Sequence, residues 1–416
     1  MNAKQAKYPQ LRFKGFTDPW VQRNLADLSD GFSYGLNAAA KEYDGVHGYL
    51  RITDIDEVSH SFLPEGLTSP DVPEDQLTDY RMDEQSIVYA RTGASTGKTY
   101  IYRDSDGELY YAGFLIRQKV NKETSAQFVY QNTLTKAWER YVQVMSQRSG
   151  QPGINAQEVG RFELAIPEKA EQDKIAHLFN SLDNLIAANQ RKLDLLKEQK
   201  KGYLQKMFPK NGAKVPELRF AGFADAWEER KLSSGLREYT DRVIVEDDKE
   251  YSQISVRNNF GGITLRGSKM GNKIGRKRQA KINLTKYPQT LIFTRQTVEQ
   301  GGIGWVDKYC DAAIVTENMP TISLDTSVFS KYFLTNLFQT RIFYKNAILD
   351  NVEGGSAQIA IHESKFLSST LLFPNLDEQE KLGKFFKQLD KTIALHQRKL
   401  EKLQELKKGY LQKMFC

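Results

Sequence analysis

The sequence has few of the residues that build metal or disulfide sites. Only two cysteines, Cys310 and Cys416, and five histidines occur in 416 residues. The cysteines form no C-x-x-C pattern, and the histidines are scattered without the spacing of metal ligands. Neither a disulfide framework nor a metal site is therefore predicted in this chain.

Long apolar runs and catalytic motifs are also lacking. The N-terminal segment has no apolar signal core, and no run approaches the roughly 18 apolar residues that span a bilayer. We expect a cytoplasmic protein in a reducing compartment. No G-x-G-x-x-G loop, paired carboxylates, Ser/His/Asp set or Asn/Asp-Pro-Pro-aromatic tetrapeptide stands out. The chain is predicted to catalyse nothing alone.

One segment, GASTGKT at residues 93–99, resembles a phosphate-binding loop. It is one residue short of G-x-x-x-x-G-K-[ST], and a strand and turn rather than a helix are predicted after it. We interpret it as a polar loop between strands whose Thr96 and Lys98 can contact a partner. A stand-alone nucleotide-dependent enzyme is the weaker alternative.

What the sequence does contain is a tandem duplication. Residues 167–208 return at 374–415 with 24 of 42 positions identical, and the segment at 9–20 returns at 216–227. Between these constant segments lie two variable blocks, 21–166 and 228–373, of equal length and little identity. We predict four parts: a first domain at 1–166, a helix at 167–208, a second domain at 209–373 and a second helix at 374–416.

The constant segments that end each half have a heptad pattern of apolar residues, which predicts long helices that pair with one another. The heptad positions are Ile175, Phe179, Leu182, Ile186, Asn189, Leu193, Leu196, Lys200, Tyr203 and Met207, and Leu382, Phe386, Leu389, Ile393, His396, Leu400, Leu403, Lys407, Tyr410 and Met414. Asn375 and Glu378 are placed like a capping pair of the second helix.

The short connection after the first helix dictates how the two helices pair. Because only residues 209–215 separate it from the second block, the second helix must run back along the first. The fold class is thus α/β (α+β): two similar mixed blocks separated by a long antiparallel two-helix coiled coil with a pseudo-twofold axis. A helix of about 38 residues is roughly 55 Å long, more than one turn of B-DNA, so the coil would act as a spacer between two DNA contacts.

The net charge of +7 mildly favours a polyanionic partner. The strongest signal is RGSKMGNKIGRKRQAK at 266–281, a glycine-rich basic segment that either follows a phosphate backbone or is a solvated loop. Arginine and lysine within it can read guanine, and asparagine and glutamine nearby can read adenine. The DNA-binding candidates in the second block are Arg257, Asn258, Asn259, Arg266, Lys269, Lys273, Arg276, Lys277, Arg278, Arg295 and Gln296.

In the first block, the candidates come from KEYDGVHGYLRITDID and ARTGASTGK. They are Lys41, Tyr43, His47, Arg51, Arg91, Thr92, Ser95, Thr96 and Lys98. Arg91 and Arg295 follow similar strands in the two blocks and could equally brace the fold. The loops at 147–155 and 351–361 occupy matching places and are predicted to be structural.

Two variable blocks, each opened by LRF-x-GF-x-D-x-W and closed by EQ-x-K, QRKL and KKGYLQKMF, resemble the specificity subunit of type I restriction-modification systems over essentially the whole chain. The resemblance implies that the blocks are target recognition domains for an asymmetric bipartite DNA site. It also implies two modification subunits that carry S-adenosylmethionine for N6-adenine methylation, and restriction subunits that use ATP and Mg²⁺. The alternative is a scaffold that binds only peptides or proteins.

Overall fold

A computed structural model describes residues 7–57, 59–147, 151–210, 212–275, 278–351 and 360–415 of the chain. They form two compact units. Unit 1 comprises Met1–Gln190 with Arg398–Cys416, and unit 2 comprises Arg191–Gln397. Each unit therefore contains one variable block, the first part of the long helix that follows this block, and the last part of the other long helix.

Short α-helices lie within each block, and one long helix follows it. The first block contains α1 (Ala126–Asn132), α2 (Lys136–Met145) and α3 (Ala156–Gly160), and is followed by the long helix α4 (Lys169–Lys206). The second block contains α5 (Lys331–Leu337), α6 (Arg341–Phe343) and α7 (Glu363–Ser368), and is followed by the long helix α8 (Leu376–Met414). The hydroxyls of Ser125 and Thr135 cap α1 and α2 by accepting backbone N–H groups.

The first block is built on an antiparallel sheet of four strands in the order β2-β9-β6-β7, with β1 paired to β10, β3 to β5, and β4 to β8. Strand β6 is buried along its whole length, which explains the apolar run from Ile87 to Ala90. The strands are β1 (Val21–Asn24), β2 (Ser29–Tyr34), β3 (Ala40–Glu42), β4 (Gly48–Leu50), β5 (Thr68–Pro70), β6 (Ser86–Ala90), β7 (Thr99–Ile101), β8 (Leu109–Tyr111), β9 (Leu115–Val120) and β10 (Glu163–Ile166).

The second block repeats the four-stranded sheet as β12-β20-β17-β18 and the outer pair as β11-β21, and adds a five-stranded sheet, β13-β16-β19-β14-β15. The strands are β11 (Glu228–Lys231), β12 (Leu236–Tyr239), β13 (Asp241–Ile244), β14 (Glu250–Val256), β15 (Ile263–Met270), β16 (Arg278–Lys281), β17 (Thr290–Phe293), β18 (Ile303–Trp305), β19 (Ile314–Val315), β20 (Thr321–Leu324) and β21 (Thr370–Phe373). The blocks thus share the four-stranded sheet and the outer strand pair, and they differ in their remaining strands.

The long helices run antiparallel inside each unit, as predicted. In unit 1, Asp183 of α4 forms an ion pair with Lys407 of α8 at 2.7 Å, and the Phe179 ring lies 5.6 Å from that of Phe415. In unit 2, Lys200 of α4 lies 2.8 Å from Asp390 of α8. None of the predicted heptad positions is exposed. The two polar positions Lys200 and Lys407 therefore belong to the helix contact because each has a carboxylate partner on the other helix.

In each half, the constant segment at the start of the block binds the start of the long helix that follows the block, through equivalent contacts. The Arg12 guanidinium binds the buried carboxylate of Glu171 with two hydrogen bonds of 2.7 Å, and Arg219 binds Glu378 with the same two distances. Asn375 caps α8 by accepting the N–H of Glu378 at 2.9 Å. The carboxylate of Glu378 is directed to Arg219, so only half of the predicted capping pair is present.

A four-ring aromatic cluster completes the core of each unit. In unit 1, Trp20 packs edge-on against Phe128 at 5.7 Å, and Phe415 contacts both rings and Phe179. Unit 2 has the matching cluster of Trp227, Phe333, Phe208 and Phe386. Each cluster therefore receives one ring from the residues just after the end of the long helix that follows the other block.

Candidate nucleic-acid interface

Lys98 is part of the fold of the first block. Its ammonium is buried and donates to the carbonyl oxygens of Ile52 and Ile55 at 3.0 and 2.9 Å and to Glu57 at 2.7 Å. These contacts use all three N–H donors of a lysine. The hydrogen bond from Lys98 also lowers the pKa of Glu57. The expectation that Lys98 touches DNA is therefore corrected: it holds the 52–57 segment against the turn between β6 and β7.

The remaining polar groups of this turn are also engaged within the block. Ser95 donates to Glu57, and Thr96 donates to the carbonyl oxygen of Gly93 at 2.7 Å. Thr92 forms an isolated bridge with Gly153. The segment 93–98 is a tight connection between two antiparallel strands, so the phosphate-loop resemblance has no helix behind it.

Arg51 is half-buried and binds Asp54 through Nε and Nη2 at 3.1 and 3.0 Å. The Nη2 group donates in addition to the Gly66 carbonyl oxygen at 3.3 Å. Arg51 thus fixes the 51–54 turn, and only part of its guanidinium faces outward.

Three other candidates of the first block lie on one exposed strand and loop. Lys41 is exposed on β3, and Tyr43 is 42% exposed. His47 Nδ1 lies 2.8 Å from Asp44, whose carboxylate also accepts two backbone N–H groups of the loop. These hydrogen bonds, led by the one from the backbone of His47, lower the pKa of Asp44 well below its usual value. Lys41 and Tyr43 are therefore available to a partner, whereas His47 is held by the loop.

Arg91 lies at the end of β6 with its guanidinium over the Tyr34 ring, 4.9 Å from the ring centroid. Tyr34 is 46% exposed, and its hydroxyl accepts the N–H of Ala156 at 3.3 Å. The side chain of Phe114, whose carbonyl accepts the Arg91 N–H, is 64% exposed. Arg91, Tyr34 and Phe114 thus place a cation and two accessible rings on one edge of the first block.

In the second block, the connection between β14 and β15 is a tight tip. Arg257, Asn258 and Asn259 are exposed there, and Asn259 and Phe260 both have left-handed backbone conformations, with φ of 53° and 56°. Backbone N–H groups of Asn259 and Phe260 donate to Gln300 and Gly301, and the Asn258 amide donates to the Gln300 side chain at 2.7 Å. The tip is therefore fixed against the 300–301 turn.

The basic segment 266–281 begins and ends in strands, which disfavours the alternative of a solvated loop. Its first residues belong to β15, the edge strand of the five-stranded sheet, and its last four form β16. A register shift between β14 and β15 leaves Arg266 as the extra residue of a bulge. Arg276 and Lys277 lie outside the described residues, as does the side chain of Arg278.

The cations of β15 and its neighbours are accessible. Arg257, Arg266, Lys269 and Lys273 are exposed, and none of the four side chains forms an ion pair or hydrogen bond with a described residue. We call these four residues the basic edge. These exposed cations lie on and beside an edge strand and form no ion pair with a described residue, so they can contact a negatively charged partner.

Arg295 braces the second block. It donates from Nε to Glu363 at 2.8 Å, and its Nη2 lies 2.6 Å from the same carboxylate. Gln296, the next residue, is exposed. Of the two interpretations left open for Arg295, the structure supports the bracing one.

The paired loops at 147–155 and 351–361 are described only at their ends. Residues 148–150 and 352–359 lie outside the described residues. At the described ends, the N–H of Ile154 donates to the Arg91 carbonyl oxygen, and the N–H of Ile361 donates to that of Arg295. The two loops therefore return to their blocks at matching places.

Four residues of these surfaces were missed by the sequence reasoning. Gln300 is a second exposed amide beside Asn258, and Phe260, Tyr34 and Phe114 are exposed rings beside candidate arginines. An aromatic residue in a strand-rich sequence is usually core, and no local signal distinguishes these from the buried rings. Only the fold shows them to be accessible.

The described ranges lack two features that would indicate other classes of protein. None of the helices within them combines the length and apolar character that a membrane span requires. Across those same ranges, no three His, Cys, Asp or Glu side chains are grouped as metal ligands would be.

Comparisons with known proteins agree with the duplicated architecture. The family model for the type I restriction modification DNA specificity domain matches twice, at residues 37–198 and 246–405. The type I restriction enzyme MjaVIII specificity subunit of Methanocaldococcus jannaschii is 22% identical over 386 residues, covering 88% of this chain and 85% of the relative. The crystal structure of the type I restriction-modification S subunit from M. genitalium superimposes with a TM-score of 0.64 at 13% identity, covering 98% of this chain and 99% of that one.

These matches confirm the predicted resemblance and fold class, and they disfavour the alternative of a scaffold without DNA. The two matched domains together span more than half of the sequence, one in each half of the duplication. The chain belongs to the family of type I restriction-modification DNA specificity subunits.

Proposed function

We propose that this chain selects the DNA sequence at which a type I restriction-modification complex acts. The first block reads one half of a bipartite, asymmetric target and the second block reads the other half. The two halves differ because the accessible surfaces of the blocks differ while their constant segments make the same contacts.

The basic edge carries this proposal. Four exposed cations without ion pairs in the described part of the chain are distributed along β15 and beyond its two ends, where the phosphates of a polyanion can neutralise them. Duplex DNA offers one negative charge for about every 1.7 Å of axis and releases counterions on binding. Arg257, the member of the basic edge at the tip, is next to Asn258, whose amide donates to Gln300, so these three side chains are the candidates for contacts with base edges.

The chemistry is assigned to partner subunits. Two modification subunits would bind S-adenosylmethionine and methylate adenine at N6, and restriction subunits would use ATP and Mg²⁺. The constant helices α4 and α8 would dock the modification subunits, and the chain itself would catalyse no step.

Reconstitution with modification subunits tests this function. The purified chain is expected to methylate nothing, and the complex is expected to methylate adenines at one defined sequence. Methylation by the chain alone, or by the complex without sequence preference, would refute the proposal.

The basic edge is tested by duplex binding of the complex as a function of salt. Substituting Arg266, Lys269 and Lys273 by alanine should weaken binding at every salt concentration. The slope of log K against log [salt] should fall by about 1 for each phosphate that the variant no longer neutralises. The control replaces three other exposed lysines of the second block, Lys231, Lys286 and Lys345, by alanine. Equal slopes for both variants would remove the basic edge from the interface.

A further inference from the structure

Arg91 and Arg295 occupy equivalent backbone positions in the two blocks. Arg91 follows β6, donates its N–H to the Phe114 carbonyl at 3.1 Å and accepts the Ile154 N–H at 2.9 Å. Arg295 follows β17, donates to the Asn318 carbonyl at 3.0 Å and accepts the Ile361 N–H at 3.0 Å. The two arginines therefore begin from the same place in the shared sheet.

Their side chains are used differently. The guanidinium of Arg295 is bound to the carboxylate of Glu363, which is mostly buried. Arg91 has no carboxylate partner and no side-chain hydrogen bond among the described residues, and its guanidinium lies over Tyr34 instead. The arginine at this position is thus paired with a carboxylate in the second block, and in the first block it has no carboxylate partner among the described residues.

The contact with the Tyr34 ring positions Arg91 and leaves the N–H groups of its guanidinium unused. A guanidinium carries all its N–H groups in its own plane, so contact through its face leaves the edge free for two parallel hydrogen bonds. Tyr34 is itself fixed by its hydrogen bond from Ala156. The result is a half-buried planar double donor positioned beside the exposed ring of Tyr34.

The surroundings favour a base edge over a phosphate. Tyr34 and Phe114 are 46% and 64% exposed, and exposed rings complement bases and the thymine methyl group. Lys98, the other cation candidate in the 91–98 segment, is buried and already has three acceptors, so it is not available to share a phosphate. The oxygen O6 and nitrogen N7 of guanine in the major groove match the double donor.

We infer that Arg91 reads one guanine of the first half-site, that Tyr34 positions it, and that Arg295 braces the second block and reads no base. This inference rests on the proposed function. It assigns the specificity of one base pair to one side chain.

The test maps methylated adenines and measures binding to duplexes with each base substituted in turn, using the complex with Arg91→Ala or Arg295→Ala. Arg91→Ala is expected to reduce discrimination at a single G·C pair of the first half-site by about 10- to 100-fold. The second half-site should keep its preferences. Arg295→Ala should lower the unfolding midpoint and leave every base preference unchanged.

Tyr34→Leu supplies a second readout. With Arg91 present but its supporting ring removed, discrimination at the same G·C pair should fall by less than in Arg91→Ala, and the unfolding midpoint should stay within a few degrees of wild type. A loss at a different base pair, or none, would contradict the positioning role.

Three results would overturn the inference. The first is an Arg91→Ala complex that keeps all base preferences. The second is an Arg91→Ala complex that binds every sequence equally more weakly with a salt slope lowered by about 1, the behaviour of a phosphate contact. The third is loss of a base preference in Arg295→Ala. Failure of the proposed function is separate, because it appears in the wild-type complex as methylation without a defined sequence.

Discussion

Arg12 and Glu171 join the first constant segment to the start of α4 through two parallel hydrogen bonds of 2.7 Å, and the carboxylate is fully buried. Arg219 and Glu378 repeat this contact 207 positions later, with the same distances. The hydrogen bond to Glu171 raises the pKa of Arg12, so the guanidinium stays charged throughout the working range. The arginine of the LRF motif thus binds the glutamate of the EQ motif, and this ion pair, which we call the joint, connects block and helix.

Glu171→Gln should destabilise the joint by about 3 kcal/mol, the low end of the range for breaking a buried ion pair, because Arg12 loses its counter-charge. Hydrogen exchange at the first turns of α4 would measure the change. Asp173→Asn removes an exposed ion pair with Lys169 and should cost less than about 1 kcal/mol. Equal protection in the two variants would show that the buried pair contributes nothing special.

Gln172 explains the second letter of the EQ motif. Its amide accepts the Ser125 N–H at 3.0 Å and donates to the Pro167 carbonyl at 2.9 Å. Gln172→Leu keeps the volume and leaves both groups buried without partners, so the free energy of unfolding should fall by about 2 kcal/mol. The exposed Gln199 offers a control, since Gln199→Leu should change it by less than about 0.5 kcal/mol. Denaturant titration of both variants measures these free energies. A loss in Gln172→Leu no larger than the loss in Gln199→Leu would contradict the structural role of Gln172.

Lys98 and Lys41 should separate stability from DNA binding. Lys98→Met removes a charged donor from the carbonyl groups of Ile52 and Ile55 and is expected to lower the free energy of unfolding by about 1–3 kcal/mol. The salt slope of duplex binding should not change. Lys41→Met should leave stability unchanged and reduce that slope, because Lys41 is exposed. The reverse pattern would restore Lys98 as a DNA contact and exclude Lys41.

His60 makes unit 1 sensitive to mild acid. Burial lowers the pKa of His60, and its Nδ1 lies 2.9 Å from the Thr99 carbonyl oxygen. The unfolded chain, in which a histidine has a pKa of about 6.5, therefore binds a proton that the folded chain resists, and stability is lost as the pH falls below about 6.5.

His60→Asn should reduce the loss of stability between pH 7 and pH 5.5, since asparagine does not titrate and accepts the left-handed backbone at this position, φ 57°. The exposed His177 is the matched control, and His177→Asn should follow wild type. Denaturation midpoints at the two pH values measure both; identical pH dependence of His60→Asn and wild type would contradict this origin.

Local patterns in the sequence predicted the two long helices and their antiparallel pairing. The heptads set α4 and α8, and the short 209–215 connection set their direction. The burial of Lys98 and the strands at the ends of the basic segment could not be predicted, because distant residues make their environment: the 52–57 segment covers Lys98, and β14 pairs with residues 263–270. The environments of Arg91 and Arg295 also depend on distant residues. Glu363 begins α7 and binds Arg295, whereas Ala156 begins α3 and offers Arg91 no carboxylate.

The central claim is that two different blocks read two half-sites whose separation is set by the long helices. Mapping methylated adenines for the complex with the natural chain, and with one heptad inserted into both α4 and α8, tests it most directly. We predict two dissimilar half-sites that keep their sequences in both maps, and an unread gap that grows by about three base pairs, since seven helical residues add about 10 Å. A half-site that changes while the gap stays constant would contradict the account.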